Sequence, residues 1–166
     1  MRETPEEIAA LQQLIDTSYE GATHHLKGII AGDHAMGAQQ IVDELVGMKV
    51  LSIATVTARG EPRVSAVDGH FIHGRWTFGT EASAAKAQHL AARPAVSAAY
   101  IDGERIGVFA HGTAVQLVPG TPDWDETIAH WTAHYGSSPE TWGEGIRMYR
   151  LEPHWFVGYR GGDRVQ

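Results

Sequence analysis

The segment VLSIATVTARGEPRVSAVDGHFI, residues 50–72, decides the fold of the chain. Its first nine residues are rich in β-branched side chains and predict a strand over 50–58. The letters RGEP form a turn signal, and a second strand returns over 62–67. We expect Asp68-Gly69 to form a bulge, because the strand pattern resumes at Phe71 and Ile72. The segment therefore predicts an antiparallel hairpin.

Further strands and helices follow by the same reasoning. After a His73-Gly74 turn, a strand is predicted over 75–79, and Ser83 is expected to cap a helix over 84–92. A later helix begins near Thr121 and carries its apolar residues on one side. The remaining predicted strands are 95–101, 105–118, 147–152 and 154–159, the last two being separated by Pro153. About six antiparallel strands with peripheral helices predict an α+β fold, in the form of a small six-stranded β-barrel.

The N-terminal segment carries the signals of a helix start. Thr4, Pro5 and Glu7 have the spacing of a capping box, with proline at the first helical position. Apolar residues then recur with a period near 3.6. We therefore divide one compact domain into an N-terminal helical extension, residues 1–37, and a barrel domain, residues 38–166.

Composition and charge exclude several classes of protein. The 166 residues contain 13 Lys plus Arg against 20 Asp plus Glu, which gives a net charge of −7. Because a general nucleic-acid binder needs a basic face, this balance argues against one. The chain has no cysteine, and therefore no disulfide or thiolate chemistry. The start MRETPEEIAA lacks the pattern of a secretory signal, and no apolar run approaches the roughly 18 residues of a membrane span. We expect a cytoplasmic protein that binds neither nucleic acid nor membranes.

The histidines and hydroxyls form no known catalytic motif. His130 and His134 lie four residues apart on a predicted helix, but Trp131 stands where the zinc-protease pattern has Glu. No metal site is therefore predicted, although the chain has 10 histidines. The nucleophile elbow G-x-S-x-G, the phosphate-binding P-loop and the dinucleotide motif G-x-G-x-x-G are all missing. No residue is assigned as a catalytic acid or nucleophile.

Residues 80–86, TEASAAK, carry a binding signal. They leave a predicted strand and enter a helix, so hydroxyls and unpaired N–H groups gather at a helix N-terminus, which favours an anion. Lys86 stands in the first turn, where its charge opposes the helix dipole unless an anion is bound; a lysine that points to solvent explains the residue equally well. Arg63 is expected to converge on the same anion or to serve as an edge-strand charge.

The order of these segments resembles the pyridoxamine 5′-phosphate oxidase-like split β-barrel family. VLSIATVTARG, PRVSAV, a hairpin, RWTFGT, SAAKAQHLAARP and AVSAAY follow one another as they do in that family, from about Ile41 to Tyr159. Its members use FMN or the deazaflavin coenzyme F-420. The resemblance implies an antiparallel six-stranded split β-barrel and a homodimer with a cofactor site at each interface. It also implies an oxidoreductase that transfers hydride between the cofactor and a conjugated or heterocyclic small molecule.

The resemblance further implies a set of cofactor-binding residues. The strand equivalent to residues 63–68 lies along the flavin, with Arg63 toward the phosphate. The residues after the next strand hold the ribityl chain and the phosphate, and Thr80 and Lys86 keep the family's six-residue spacing. The implied set is Arg63, Val64, Ser65, Ala66, Val67, Asp68, Gly79, Thr80, Ser83, Ala85, Lys86 and Tyr159.

Departures from the family pattern limit the expected activity. Asp68 and Ala85 stand where the oxidase has basic residues, and Gly107 stands at a glutamine-like position, so oxidation of pyridoxine phosphate is not expected. We favour F-420 over FMN because the arginine-rich composition and the N-terminal extension resemble the actinobacterial deazaflavin and flavin reductases. Two alternatives stay open: a non-catalytic cofactor-binding or stress-related protein, and a protein that binds or degrades haem.

Overall fold

Six antiparallel strands close into a barrel in the computed structural model, which describes residues 3–143 and 145–161. Neighbouring strands follow the order β1-β2-β3-β6-β5-β4. The strands are β1 (Met48–Val56), β2 (Pro62–Ile72), β3 (Arg75–Glu81), β4 (Ala95–Asp102), β5 (Ile106–Gln116) and β6 (Ile146–Arg160). The helices are α1 (Pro5–Glu20), α2 (His24–Ile29), α3 (Ala38–Glu44), α4 (Ala85–Ala92) and α5 (Pro122–Tyr135). The predicted α+β fold, a six-stranded barrel with peripheral helices, is confirmed.

The capping box at the start of α1 is confirmed. The Glu7 N–H donates to Thr4 Oγ1 at 3.2 Å, and the Thr4 N–H donates to Glu7 Oε2 at 2.8 Å. The buried face of α1 packs on β6: Leu11 enters the barrel core, and the Phe156 N–H donates to Ser18 Oγ at 2.9 Å. Helix α1 therefore contributes to the same core as the barrel.

Two clusters of buried side chains lie on opposite faces of the sheet. The larger fills the barrel and includes the inward-facing Leu51 and Ile53 of β1. The smaller lies between the sheet and α5, and consists of Leu117, Trp124, Ile128, Trp131 and Met148. The predicted apolar side of α5 is thus confirmed, and it holds the helix against β3 and β6. Within the described residues, no helix combines the length and apolar character needed to span a membrane.

The predicted bulge at Asp68-Gly69 is wrong. Strand β2 runs without interruption from residue 62 to 72, and Asp68 and Gly69 keep regular register with Val50 and Lys49 of β1. Gly69 has a packing role instead, because a Cβ at this position would overlap the buried side chain of Leu51. A glycine in a strand marks such a close approach as well as a bulge.

The predicted break at Pro153 is also wrong, since β6 is one strand of 15 residues. The proline lies where the pairing of β5 with β6 shifts: Gly112 pairs with Pro153 and His111 pairs with Trp155, so His154 is the extra residue of a bulge. A bulge accommodates proline because the ladder hydrogen bonds are already interrupted there.

Candidate functional site

Strand β2 has one half with an open edge. It pairs with β1 over residues 62–70, but its pairing with β3 covers only residues 69–72. Strand β3 pairs with β6 on its other edge, and its residues 79–81 pair with β6 alone. Among the described residues, no strand pairs with the second edge of residues 62–68, so their backbone N–H and C=O groups are available there at every second position.

A cleft of about 320 Å³ lies beside this open edge. It brings Asp68 of β2 together with Gly79 and Thr80 of β3, as the proposed cofactor-binding set requires. The other residues that line it are Glu81, Trp131, Trp142, Gly143, Gly145 and Ile146. The cleft therefore has two tryptophans on one wall and polar strand ends on the other.

The side chains of residues 63–68 alternate between two faces of β2. The first set pairs with the inward-pointing residues of β1 and therefore lies on the same, inner face of the sheet. It consists of Arg63, Ser65 and Val67. The opposite set consists of Val64, Ala66 and Asp68. Val67 is buried in the barrel core, so only its backbone can meet a ligand, whereas Val64 is 72% exposed.

Helix α4 is fixed to the end of β1 beside Arg63. The Thr55 hydroxyl hydrogen-bonds His89 Nδ1 at 3.0 Å, and the Arg93 Nε–H donates to the Val56 carbonyl at 3.0 Å. Thr55 pairs with Arg63, and Lys86 lies one helical turn from His89, so Arg63 and Lys86 approach the same end of the barrel. Arg63 makes an ion pair with Glu61, at 2.7 Å between Nη2 and Oε2.

The N-terminus of α4 has open hydrogen-bond donors. Its N-cap is Ala84, which has no side-chain bond, so the predicted capping by Ser83 is wrong. The N–H groups of Ala87 and Gln88 donate to the Ala84 carbonyl. The N–H groups of Ala85 and Lys86 have no acceptor among the described residues. The half-buried Lys86 side chain makes no ion pair with any described residue. An anion would satisfy these donors and the charge together.

Arg147 is a further cation at this end that the sequence reading missed. It lies opposite Thr80 in the register of β3 with β6, is half-buried, and makes no ion pair with a described residue. The two residues are far apart in sequence, so only the strand register brings them together. Gly79 has a packing role here, because a Cβ would approach Met148 Sδ to 2.8 Å and Ile146 Cδ1 to 2.9 Å.

Tyr159 does not join this cleft within one chain. It pairs with Gly107 of β5, and its ring stacks on Phe109 with 6.3 Å between centroids. Arg147, the partner of Thr80, lies 12 residues earlier on β6, which is roughly 40 Å along an extended strand.

The carboxylate of Asp68 belongs to a hydrogen-bonded group that links β2 to α5 beside the cleft. The Tyr135 hydroxyl donates to Asp68 Oδ2 at 2.9 Å, and the Tyr135 Oη lies 3.4 Å from His70 Nε2. Burial, and then the hydrogen bond and the charge of Asp68, raise the pKa of Tyr135. The sequence reading assigned none of these partners, because residues 65 to 67 positions apart meet only when α5 packs on β2.

The barrel, its open strand edge and the adjoining helix N-terminus define a split β-barrel protein. A family model described as pyridoxamine 5′-phosphate oxidase matches residues 38–156, and the chain belongs to this family. No curated protein is similar enough in sequence to count as a match.

Solved structures with the same fold belong to proteins whose names give different functions. A conserved hypothetical protein from Mycobacterium tuberculosis has a TM-score of 0.65 at 20% identity, covering 78% of this chain and 88% of its own. HutZ, the haem storage protein from Vibrio cholerae, has a TM-score of 0.62 at 23% identity, and the match covers 74% of this chain and 95% of HutZ. An F-420 reductase has a TM-score of 0.54 at 22% identity, and the match covers 68% of this chain and 91% of the reductase. At these identities the likeness establishes the fold.

Proposed function

We propose that the protein is an oxidoreductase that binds coenzyme F-420, or alternatively FMN, and transfers hydride between it and a conjugated or heterocyclic small molecule. The observation that carries the proposal is the open edge of residues 62–68, which lies between the Asp68 cleft and the uncapped N-terminus of α4. Similarity to an F-420 reductase supports the choice of cofactor. A cytoplasmic location remains part of this proposal.

The available groups fit the chemistry of a phosphate-bearing tricyclic cofactor. Lys86, Arg147 and the open N–H groups of α4 would hold the phosphate, and Arg63 would join them once it leaves Glu61. The backbone of residues 63–68 offers donors and acceptors to the polar edge of a flat ring, because successive groups on a strand edge are regularly spaced. Two of the tryptophans line the same cleft and offer apolar contact.

The bound ring supplies the hydride chemistry, and the protein supplies position and environment. The small side chains of Ser65 and Ala66 allow a ring to approach the strand backbone. Asp68 accepts the hydrogen bond of Tyr135 and keeps a carboxylate at the wall of the cleft. Trp131 and Trp142 exclude water from the opposite wall.

We propose in addition that the protein is a homodimer with a cofactor site at each interface. The outer face of the sheet supports this, because it carries small or apolar side chains where a water-facing sheet carries polar ones. Val64 is 72% exposed, and Val50 and Ile101 are each 57% exposed. The small residues between them in register are Ser52, Ala54, Ala66 and Ala99. A partner subunit that covers this face would also allow Tyr159 to reach a cofactor.

Titration of the protein with F-420, FMN and haem, followed by tryptophan fluorescence, tests the proposal. We expect micromolar or tighter binding of F-420, and oxidation of the reduced cofactor in a single turnover when a quinone, tetrapyrrole or nitroaromatic acceptor is added. Binding without acceleration by any acceptor would favour a storage or stress-related protein. Binding of haem alone would favour the haem class, to which the similarity with HutZ points. Binding of FMN alone would reject F-420.

A further inference from the structure

A buried histidine of the barrel wall, His70, is linked at both ring nitrogens to groups that exchange protons. His70 is 0% exposed. Its Nε2 lies 3.4 Å from the Tyr135 hydroxyl, and its Nδ1 lies 2.9 Å from His130 Nε2. With the bond from Tyr135 to Asp68, this makes a continuous row across α5 and β2: His130, His70, Tyr135 and Asp68.

The two ends of the row lie at different clefts. Asp68 lines the candidate cofactor cleft. His130 lines a second cleft, of about 310 Å³, together with residues at and after α3, including Asp43, and with residues 71 and 72 of β2. The row therefore links two residues that line different clefts, and His70 within it has no exposed surface.

The single proton of the Tyr135 hydroxyl sets the direction of the row. That proton is donated to Asp68, so toward His70 the Tyr135 oxygen can only accept, and His70 Nε2 must carry a hydrogen. A neutral His70 then has a bare Nδ1, which accepts from the Nε2–H of His130. Every donor in the row consequently points toward Asp68.

We propose that this row is a proton relay that supplies the cofactor cleft through Asp68. One proton moves at each link: from His130 Nε2 to His70 Nδ1, from His70 Nε2 to Tyr135 Oη, and from Tyr135 Oη to Asp68 Oδ2. Once one proton enters at His130 Nδ1, which is a buried atom, each inner residue ends with the proton count it began with, and Asp68 becomes a neutral carboxylic acid.

The relay rests on the proposed function for its chemical purpose. A conjugated substrate that accepts hydride gains two electrons and one hydrogen, and its newly basic atom then needs one proton. Asp68 gives that proton in the cleft and returns to the carboxylate. Asp68 is thus the catalytic residue, and Tyr135, His70 and His130 act through it. The rings of His134 and Trp131 also contact His70, at 4.8 and 4.7 Å between centroids, and hold it in place.

Nitrogen-15 NMR of the histidine rings tests the direction of the relay without any cofactor. We expect a protonated Nε2 and a bare Nδ1 on His70 in the unmodified protein, and a change in both signals in Tyr135→Phe. Tyr149→Phe is the matched control, because it removes a hydroxyl that is buried and has no partner among the described residues. A His70 protonated at Nδ1 with a bare Nε2 would overturn the relay.

Single-turnover kinetics of the cofactor-loaded protein test the proton supply. Tyr135→Phe is expected to slow oxidation of the reduced cofactor by roughly 100-fold, the scale of general acid catalysis, with cofactor affinity unchanged. Asp68→Ala is expected to recover when formate is added, because a small acid replaces the missing carboxyl group. Normal turnover in Tyr135→Phe, or no response of Asp68→Ala to formate, would contradict the relay. Failure to bind F-420 or FMN would reject the proposed function, and the NMR result would still decide the direction of the row.

Discussion

The two halves of β2 differ although they belong to one uninterrupted strand. Residues 69–72 are buried and pair with β3, and residues 69 and 70 pair with β1 as well. Residues 62–68 are mostly exposed and pair only with β1. The closed half therefore holds the barrel together, while the open half keeps unpaired backbone groups beside a cleft. A strand can serve stability along one stretch and binding along the next, provided its neighbour stops pairing with it, as residues 79–81 of β3 do, which pair with β6 alone.

The largest expected effect concerns stability and separates the two halves directly. Phe71→Ala, in the closed half, is expected to lower the free energy of unfolding by about 3–5 kcal/mol, because it leaves a cavity in the core. Val64→Ala, in the open half, is expected to change that of the monomer by about 0.5 kcal/mol or less, since Val64 is 72% exposed within one chain. Urea unfolding measures both. Equal losses would mean that the open half is covered within the monomer.

A second prediction tests the open half and α4 as a phosphate site. Lys86→Ala is expected to weaken cofactor binding by about 1.5–3 kcal/mol, the range of charge-assisted hydrogen bonds. Lys27→Ala is the matched control, because Lys27 lies on α2 and its ammonium donates to the Glu20 carbonyl. Isothermal titration with F-420 and with FMN gives both dissociation constants. An unchanged constant in Lys86→Ala removes the phosphate assignment.

Arg63 is expected to contribute less than Lys86, since it must first leave Glu61. We expect Arg63→Ala to weaken cofactor binding by about 1–2 kcal/mol, which is a charge-assisted contact less the exposed ion pair that is lost. Arg59→Ala, in the preceding turn, controls for the change of net charge. The same titration measures both variants. A loss equal in the two variants would show a long-range charge effect instead of contact.

The smallest expected effect lies at the turn that ends the closed half. Burial lowers the pKa of His73, but hydrogen bonds and charges from Glu126 and Glu7 outweigh it and raise the pKa above 6.5. Since the folded pKa exceeds the unfolded one, this stabilisation is complete below about pH 6.5 and is lost as the pH rises through the folded pKa.

The variant His73→Asn isolates that contribution. Asparagine tolerates the positive φ of 54° at this position and does not titrate. Urea unfolding between pH 6 and 8 is expected to show a decline of at most about 1 kcal/mol in the unmodified protein that His73→Asn lacks. Parallel curves for the two proteins would mean that the contacts of His73 with α1 and α5 carry no net charge effect.

Local signals predicted the fold well, and long-range packing explains the errors. The capping box of Thr4 and Glu7 involves residues three apart, so the sequence contains all of its information. Gly69 was misread as a bulge because its reason is Leu51 across the strand pair. The break expected at Pro153 was wrong because the pairing of β5 with β6 shifts there and accommodates the proline, and no local pattern reveals that shift.

The candidate site divides in the same way. The stretch around Thr80 and Lys86 was readable, because a strand end followed by a helix start is a local pattern. Arg147 reaches Thr80 only through the register of β3 with β6, and Tyr135 reaches Asp68 only through the docking of α5. Groups assembled by packing were therefore invisible in the sequence, including every partner of Asp68 in the proposed relay.

Backbone amide NMR with added F-420 or FMN tests the central claim most directly. We predict that signals of residues 63–68 and 80–86 shift together on binding, while those of residues 69–72 stay in place. Shifts confined to other parts of the barrel, with both of the first two stretches unchanged, would contradict the claim that the open half of β2 and the start of α4 form one site.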